Sequence, residues 1–352
     1  MILTGTNTSP NRNGDVTKAA AFPAAGRLRL LVVHNPVAGW RRRRLLDRVV
    51  DALRAGGALV EVRRTATRGD AERITRAALG DGFDRLVVAG GDGTINEAAN
   101  ALAGSTLPLA IVPLGTANVL AAEIGLGGDA QAVARAILDG PAARIALGTV
   151  NGRRFAMMAG VGFDAAVVAG VSTRLKRHLG KGAYVLAMLR LLCRFRPQAY
   201  QVTADGRRYA AGSVVLAKGR HYAGRFVCAP AARLDRPLLE LCLFRAADRL
   251  SILRYAAALA LGRIDRLSDV TIVSAREAVI EGAAGEPVQG DGDILGQLPA
   301  RIAVAPESLL LVVPAGSPLA LGTRGALCSA PGAGKNPAPL DGDGDPSCLP
   351  SS

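Results

Sequence analysis

The hydrophobic pattern opens as a run of uninterrupted apolar segments alternating with helical ones. "LRLLVV" (28–33), "ALVEV" (58–62), "FDRLVVA" (83–89) and "LPLAIV" (107–112) read as strands. Residues 41–55, "DAERITRAAL" (70–79), "INEAANAL" (95–102) and "ANVLAAEI" (117–124) carry apolar positions at helical spacing. Strands without polar alternation are buried on both faces, so this order predicts a parallel sheet covered by helices on both sides.

After about residue 142 the period shortens. "RFAMMAGVGF" (154–163), "QAYQVTAD" (198–205), "YAAGSVVLA" (209–217), "LLELCLF" (238–244), "VTIVSA" (270–275) and "AVIEG" (278–282) suggest antiparallel strands. Helical insertions are expected near 172–193 and 247–261. The expected fold is α/β: an N-terminal parallel-sheet domain over 27–141, then a C-terminal antiparallel β-sandwich domain over 142–305. A last strand, "SLLLVVP" within 306–320, can return to either domain. Residues 1–26 read as a flexible polar leader and 321–352, rich in Gly, Pro and Ser, as a disordered tail. "GAGKN" in that tail lacks the strand and the hydroxyl residue of a P-loop.

Composition narrows the partners. The net charge of +14 favours anions: phosphates, nucleic acid or an acidic membrane surface. Aromatics are only 4%, too few for single-strand stacking platforms, and no recognition-helix or zinc-finger spacing occurs, so nucleic acid is not expected. Five scattered cysteines without a CxxC pair argue against a disulfide framework and fit a reducing compartment. The N-terminus does not read as a secretory signal, and "YVLAMLRLLCRF" (184–195) is too short to span a bilayer. The expectation is a cytoplasmic protein, in peripheral contact with the inner membrane face. Oligomeric state stays open, a homodimer included.

Candidate chemistry sits at the strand ends. In "VVAGGDGTINEAAN" an apolar strand runs into Gly90, Gly91, Asp92, Gly93 and Thr94 before a helix. Bare backbone permits close approach of a bulky anion, and its N–H groups with the helix start can cradle phosphate oxygens. A lone carboxylate, Asp92, would repel phosphate unless a cation lies between, which points to a magnesium-bound nucleotide. The competing reading is a turn with a capping box, Thr94 to Glu97. "PLGTANVLA" repeats the design with Gly115, Thr116 and Asn118, and "HNPVAGW" does so with Asn35 and Gly39. Three such loops at one sheet edge favour a binding site.

"NPVAG", "GGDGTINEAANAL" and "PLGTANVLA", in this order, resemble the diacylglycerol kinase catalytic-domain family, which includes bacterial lipid kinases and the sphingosine and ceramide kinases. The likeness continues through "GVGFDA" (160–165), "GKGAYVL" (180–186) and "VQGDGDILGQLPARIAVAPESLLLVVP" (288–314), covering about 27 to 315. NAD kinases share the first loop; the PLGTAN segment and the late "DGD" favour lipid. The resemblance implies ATP in a cleft between the two domains, with Mg2+, and transfer of its γ-phosphate to a hydroxyl of a membrane lipid. It assigns phosphate contacts to the loop of Gly90, Gly91, Asp92, Gly93, Thr94, Ile95 and Asn96, with Glu97 next to it, and to Thr116. Thr65 matches a family threonine that contacts ATP. Asp293 matches the family's general base, a glutamate, by position, and Asp291 is the fallback. Asp164 matches a family acidic position in the magnesium–water network, with Asp92 the other candidate metal residue. An i, i+2 pair in extended chain points one way, so Asp291 and Asp293 would face one site; a plain hairpin turn is the alternative. A catalytically silent nucleotide- or lipid-binding protein is the reading from another class.

Departures from the family concern three places. Asp293 is one methylene shorter than glutamate. Ala38 stands where a serine is frequent. Several members carry an Asp-Gly-Leu-Leu loop for a structural magnesium; here "LDRPLLEL" keeps Asp235 but puts Arg236-Pro237 next to it, a cation where the metal would need oxygens. "RRRR" (41–44) and the basic, apolar stretch 172–196 are candidate contacts for nucleotide phosphates or lipid head groups, against the alternatives of a solvated face and of a helix packed on the sandwich.

Overall fold

The computed structural model describes residues 27–38, 43–170 and 198–322. Strands β1 (Arg29–His34), β2 (Leu59–Arg64), β3 (Arg85–Gly90) and β4 (Leu109–Pro113) run parallel in the order β2-β1-β3-β4. They alternate with helices α1 (Arg43–Ala55), α2 (Asp70–Ala77), α3 (Asp92–Leu102) and α4 (Val119–Glu123). β3 and β4 are buried along their whole length and β1 nearly so, as uninterrupted apolar sequence requires when helices cover both faces. β2 is the edge strand and leaves Leu59 and Val62 exposed. The chain reverses its direction across the sheet between β1 and β3. That switch point opens a crevice at the carboxyl ends of the strands, where such sheets bind ligands. Helix α5 (Ala130–Asp139), not anticipated from the sequence, follows; its N-cap Asp129 accepts the Ala132 N–H at 2.7 Å.

The second half is antiparallel. Its strands are β5 (Ala142–Val150), β6 (Arg153–Phe155), β7 (Met158–Val161), β8 (Tyr200–Ala204), β9 (Arg207–Ala211), β10 (Ser213–Ala217), β11 (His221–Tyr222), β12 (Phe226–Val227), β13 (Leu239–Phe244), β14 (Val270–Ala275), β15 (Glu277–Glu281), β16 (Pro287–Gly290), β17 (Asp293–Gln297) and β18 (Ala300–Val312). Among the described residues the α-helices of this half are α6 (Phe163–Gly170), also unforeseen, α7 (Arg249–Ala260) and α8 (Pro318–Gly322). A six-stranded sheet, β14-β13-β10-β7-β16-β17, packs against the antiparallel part of the larger sheet. Phe155, Val161, Tyr200, Val214, Leu216, Leu241, Ile280, Val288 and Ile302 share the core between them. The expected sandwich is therefore present. "RFAMMAGVGF" is two strands, not one: Ala156 and Met157 break the run, and their amides matter below.

The closing strand decides how the halves are joined. β18 pairs with β15 and β5 antiparallel and reaches β4 in parallel at Leu311↔Leu109. "SLLLVVP" thus returns to the first sheet, and one ten-stranded sheet runs through both halves. Among the described residues no helix is long and apolar enough to cross a membrane. The segment 172–196 and residues 39–42 lie outside the described residues, as do the leader and nearly all of the tail.

Candidate active site

The loops after β1, β3 and β4 meet at the crevice. Gly115 and Gly91 touch backbone to backbone: a Cβ on Gly115 would lie 2.5 Å from the Gly91 Cα and 2.7 Å from Asn118 Oδ1. The Leu114 and Gly115 N–H groups both donate to the Gly90 carbonyl, at 3.0 and 3.1 Å. Only glycine allows the two loops this approach. Asn118 sits in the left-handed region, φ 49°, and donates to the Gly115 carbonyl at 2.7 Å. Thr116 is exposed at the mouth. Helix α3 begins at Gly91 with no side-chain cap. Its first-turn N–H groups thus point at the crevice as an anion seat.

Several predicted phosphate contacts turn out to build this seat. Asn35 accepts the Val37 and Ala38 N–H groups at 3.0 and 3.3 Å and donates to the Thr94 hydroxyl at 2.9 Å. It clamps the first loop to the second. Thr65 is buried, and its N–H donates to the His34 carbonyl. The Ile95 side chain lies in the core, leaving only its backbone near the loop. The capping box is not formed. Glu97 turns the other way and accepts the Gly69 and Ala71 N–H groups, at 2.9 and 3.1 Å, at the start of α2. Asp70 accepts from Ala66 and Thr67. Together these carboxylates fasten loop 65–69 to α3. Asn96 points into the second half, donating to Asp291 at 2.9 Å and to the Arg154 carbonyl at 3.2 Å.

The acidic residues divide into three that are committed and one that is open. Asp92 accepts the Asn118 and Val119 N–H groups at 2.9 and 2.7 Å and so caps α4. The sequence reading turns this carboxylate towards a cation; the structure gives both its oxygens to the neighbouring loop. Burial, above all, pushes its pKa up, with Asp291 adding like charge against the donated amides. Asp164 accepts from the Tyr222 hydroxyl and from Gln289 Nε2, the latter at 2.6 Å. It too is raised by burial, against those two donors. Neither residue stands as an open metal ligand, and among the described residues no cluster of three or more His, Cys, Asp or Glu is placed to hold a metal.

Asp291 and Asp293 do not face one way. Asp291 and Gly292 have φ of 50° and 84°, and Gly290 pairs with Asp293, so Asp-Gly forms the two-residue turn of a β16–β17 hairpin. The extended-chain parity fails because the turn residues are left-handed. Asp291 accepts the N–H groups of Ala156, Met157 and Met158 at 2.6, 2.9 and 3.0 Å, and the Asn96 amide. Burial pushes this carboxyl up while the four donors oppose it. It is a staple between the halves and not a free base. Asp293 is the open carboxylate, its side chain 37% exposed. A Cβ on Gly93 would lie 3.3 Å from its Oδ2, so it reaches the glycine loop of the other half despite its shorter stem. Arg68, a residue the sequence reading passed over, stands 3.4 Å from the same oxygen. Loop 65–69 presents it, and an isolated exposed arginine carries no pattern signal. Gln289 and Tyr222 were equally invisible, because their partner Asp164 is remote in sequence.

The loop at Asp235 does not fit the family's structural magnesium. Arg233 occupies both Asp235 oxygens, at 2.9 and 2.7 Å, and holds its pKa down. The fully buried Lys218 ammonium donates to the Arg236 and Leu238 carbonyls at 2.5 and 2.8 Å. Cations of the chain itself take the oxygens a metal would need.

Comparison with known proteins agrees with this architecture. The diacylglycerol kinase catalytic domain matches residues 29–150, and the YegS C-terminal NAD kinase beta sandwich-like domain matches residues 157–313. A protein of Pseudomonas aeruginosa named "Probable lipid kinase YegS-like" is 37% identical over 302 residues, 82% of this chain and 95% of that protein. The chain belongs to the diacylglycerol kinase catalytic-domain family. A Mycobacterium tuberculosis protein named diacylglycerol kinase is 32% identical over 254 residues, 70% of this chain and 82% of its own. The fold of this kinase-family chain also matches a crystal structure of a diacylglycerol kinase from Bacillus anthracis, with a TM-score of 0.66 at 23% identity, over 81% and 96% of the two chains.

Proposed function

We propose that this protein transfers the γ-phosphate of ATP to a hydroxyl of a membrane lipid such as diacylglycerol or a sphingoid base. The observation that carries the reading is the approach of Asp293 Oδ2 to within 3.3 Å of where a Cβ on Gly93 would stand, which brings an open carboxylate from one half to an uncapped helix start in the other. The triphosphate lies on the amides of the 90–94 loop and the Gly115–Thr116 segment. The lipid hydroxyl enters beside Asp293, which takes its proton as the oxygen attacks the γ-phosphorus in line and ADP leaves. Arg68 turns from Asp293 to the transferred phosphoryl group, freeing the base and balancing charge. A magnesium ion carried by the nucleotide would supply charge neutralisation for the phosphates next to the buried Asp92 and Asp291.

The chain's place is the cytoplasmic side of a membrane that supplies the acceptor. Incubation with γ-labelled ATP and a total lipid extract, followed by identification of the labelled species, tests the reading. A single class of phosphorylated lipid alcohol supports it. Nucleotide binding without transfer to any lipid, or transfer to NAD instead, refutes it.

A further inference from the structure

Helix α7 is apolar on two faces. Ile252, Tyr255 and Ala258 point inward and are buried against the six-stranded sheet. The opposite face carries Leu250, Leu253, Ala257, Ala260 and, just past the helix end, Leu261, at the i, i+3, i+7 spacing of one stripe. These leucines stand in solvent: Leu250 is 79%, Leu253 45% and Leu261 69% exposed. Arg249 and Arg254 border the stripe, one on each side. A helix that only covers a core has no use for leucines on its outer face, where solvated residues belong.

The neighbouring ribbon extends the surface. β12 packs on α7 and brings Phe226, 45% exposed, with Arg225 before it. Arg263 and Arg266 follow the C-terminal end and are exposed. Acidic residues in the region are Asp248, which caps the helix, Asp265 and Asp269, which binds Arg254 and the Tyr255 hydroxyl. Five arginines thus oppose three aspartates. The ribbon also leads to the cleft: Tyr222, the cross-strand partner of Phe226, donates to Asp164, and the His221 N–H donates to Glu123 of α4 at 3.0 Å.

From this arrangement we infer that the outer face of α7, with Phe226, is a docking surface for an anionic phospholipid bilayer. Leucines enter the acyl boundary, and the bordering arginines meet lipid phosphates, as in helices that lie in a membrane interface. Pairing of two copies through the same stripe would set arginine against arginine, so the charge favours the bilayer. The inference rests on the lipid-kinase reading only for its purpose, since docking would bring the acceptor to a cleft tied to the same ribbon.

Sedimentation with vesicles of phosphatidylcholine, with and without phosphatidylglycerol, tests it without nucleotide. The wild type should bind the anionic vesicles, and more weakly as salt rises. The Leu250→Asp/Leu253→Asp double variant should lose binding roughly tenfold or more, with an unchanged melting temperature. It should still phosphorylate a short-chain, monomerically dissolved diacylglycerol. Arg249→Glu should weaken binding to anionic vesicles and not to neutral ones. Vesicle binding by the double variant equal to that of the wild type overturns the inference, and so does a wild-type dimer that the substitutions dissociate while vesicle binding stays intact. If the double variant loses vesicle binding but the wild type phosphorylates no lipid, the docking surface stands and the kinase reading falls.

Discussion

Replacing Asp291 by alanine separates a staple from a base. In the structure its carboxylate receives four donors: three backbone N–H groups at 2.6 to 3.0 Å and the Asn96 amide at 2.9 Å. Alanine removes the acceptor and leaves the amides of Ala156, Met157 and Met158 in a site from which water is largely excluded. A buried donor left unmet costs about 1–3 kcal/mol, and burial of the charge, now relieved, offsets part of this. A net loss on the order of 4 kcal/mol follows, and for a fold of this size, at about 2.1 cal/mol/K of unfolding entropy per residue, that lowers the melting temperature by roughly 5–7 °C. Asp293→Ala removes a half-exposed carboxylate with one long ion pair, worth about 0–1 kcal/mol. Calorimetry on both variants and the wild type, with the phosphotransfer rate measured well below each midpoint, tests the contrast. Asp291→Ala should melt early and keep measurable turnover when cold; Asp293→Ala should melt normally and lose turnover. Equal melting of Asp291→Ala and wild type would refute the staple.

Two further outcomes follow from the same geometry. Gly115→Ala drives a Cβ to 2.5 Å from the Gly91 backbone, so the two phosphate loops must part; a loss of about 1–3 kcal/mol and a raised KM for ATP are expected, read by thermal melts and by kinetics at saturating lipid. Burial lowers the Lys218 pKa from 10.5 to about 8, so the folded state drops a proton that the unfolded chain keeps between those values. Its contribution is complete above about pH 10.5 and is lost as pH falls to about 8, some 3 kcal/mol in all; urea midpoints of the wild type should rise across that window relative to Lys218→Met, and parallel curves would remove Lys218 as the cause.

The sheet was legible because β1, β3 and β4 each carry four consecutive apolar residues, 30–33, 86–89 and 109–112, and each runs into a loop with glycine or a small polar residue. Gly91 and Gly115 come side by side if their strands are neighbours, and the pairing of β3 with β4 makes them so. The acidic residues were not legible in the same way. Asp92 and Glu97 cap helices that begin 27 residues ahead and 27 behind, and no local pattern reports such partners. Asp291 and Asp293 were read as a pair because i and i+2 align in a strand; the left-handed Asp-Gly turn sends one to the 156–158 amides and the other to the cleft. β18 could not be assigned to a half because it belongs to both, and it is in register with β4 at one position, Leu311↔Leu109, of a 13-residue strand. Arg68 emerged only from proximity to Asp293.

The central claim is that Asp293, held against the Gly93 loop, takes the proton of the lipid alcohol. Transfer of label from γ-labelled ATP to diacylglycerol in mixed micelles, compared between wild type and Asp293→Asn, tests it most directly. The account predicts a fall of roughly 10²–10⁴-fold in kcat with ATP affinity preserved. An Asp293→Asn enzyme that turns over like the wild type would contradict it.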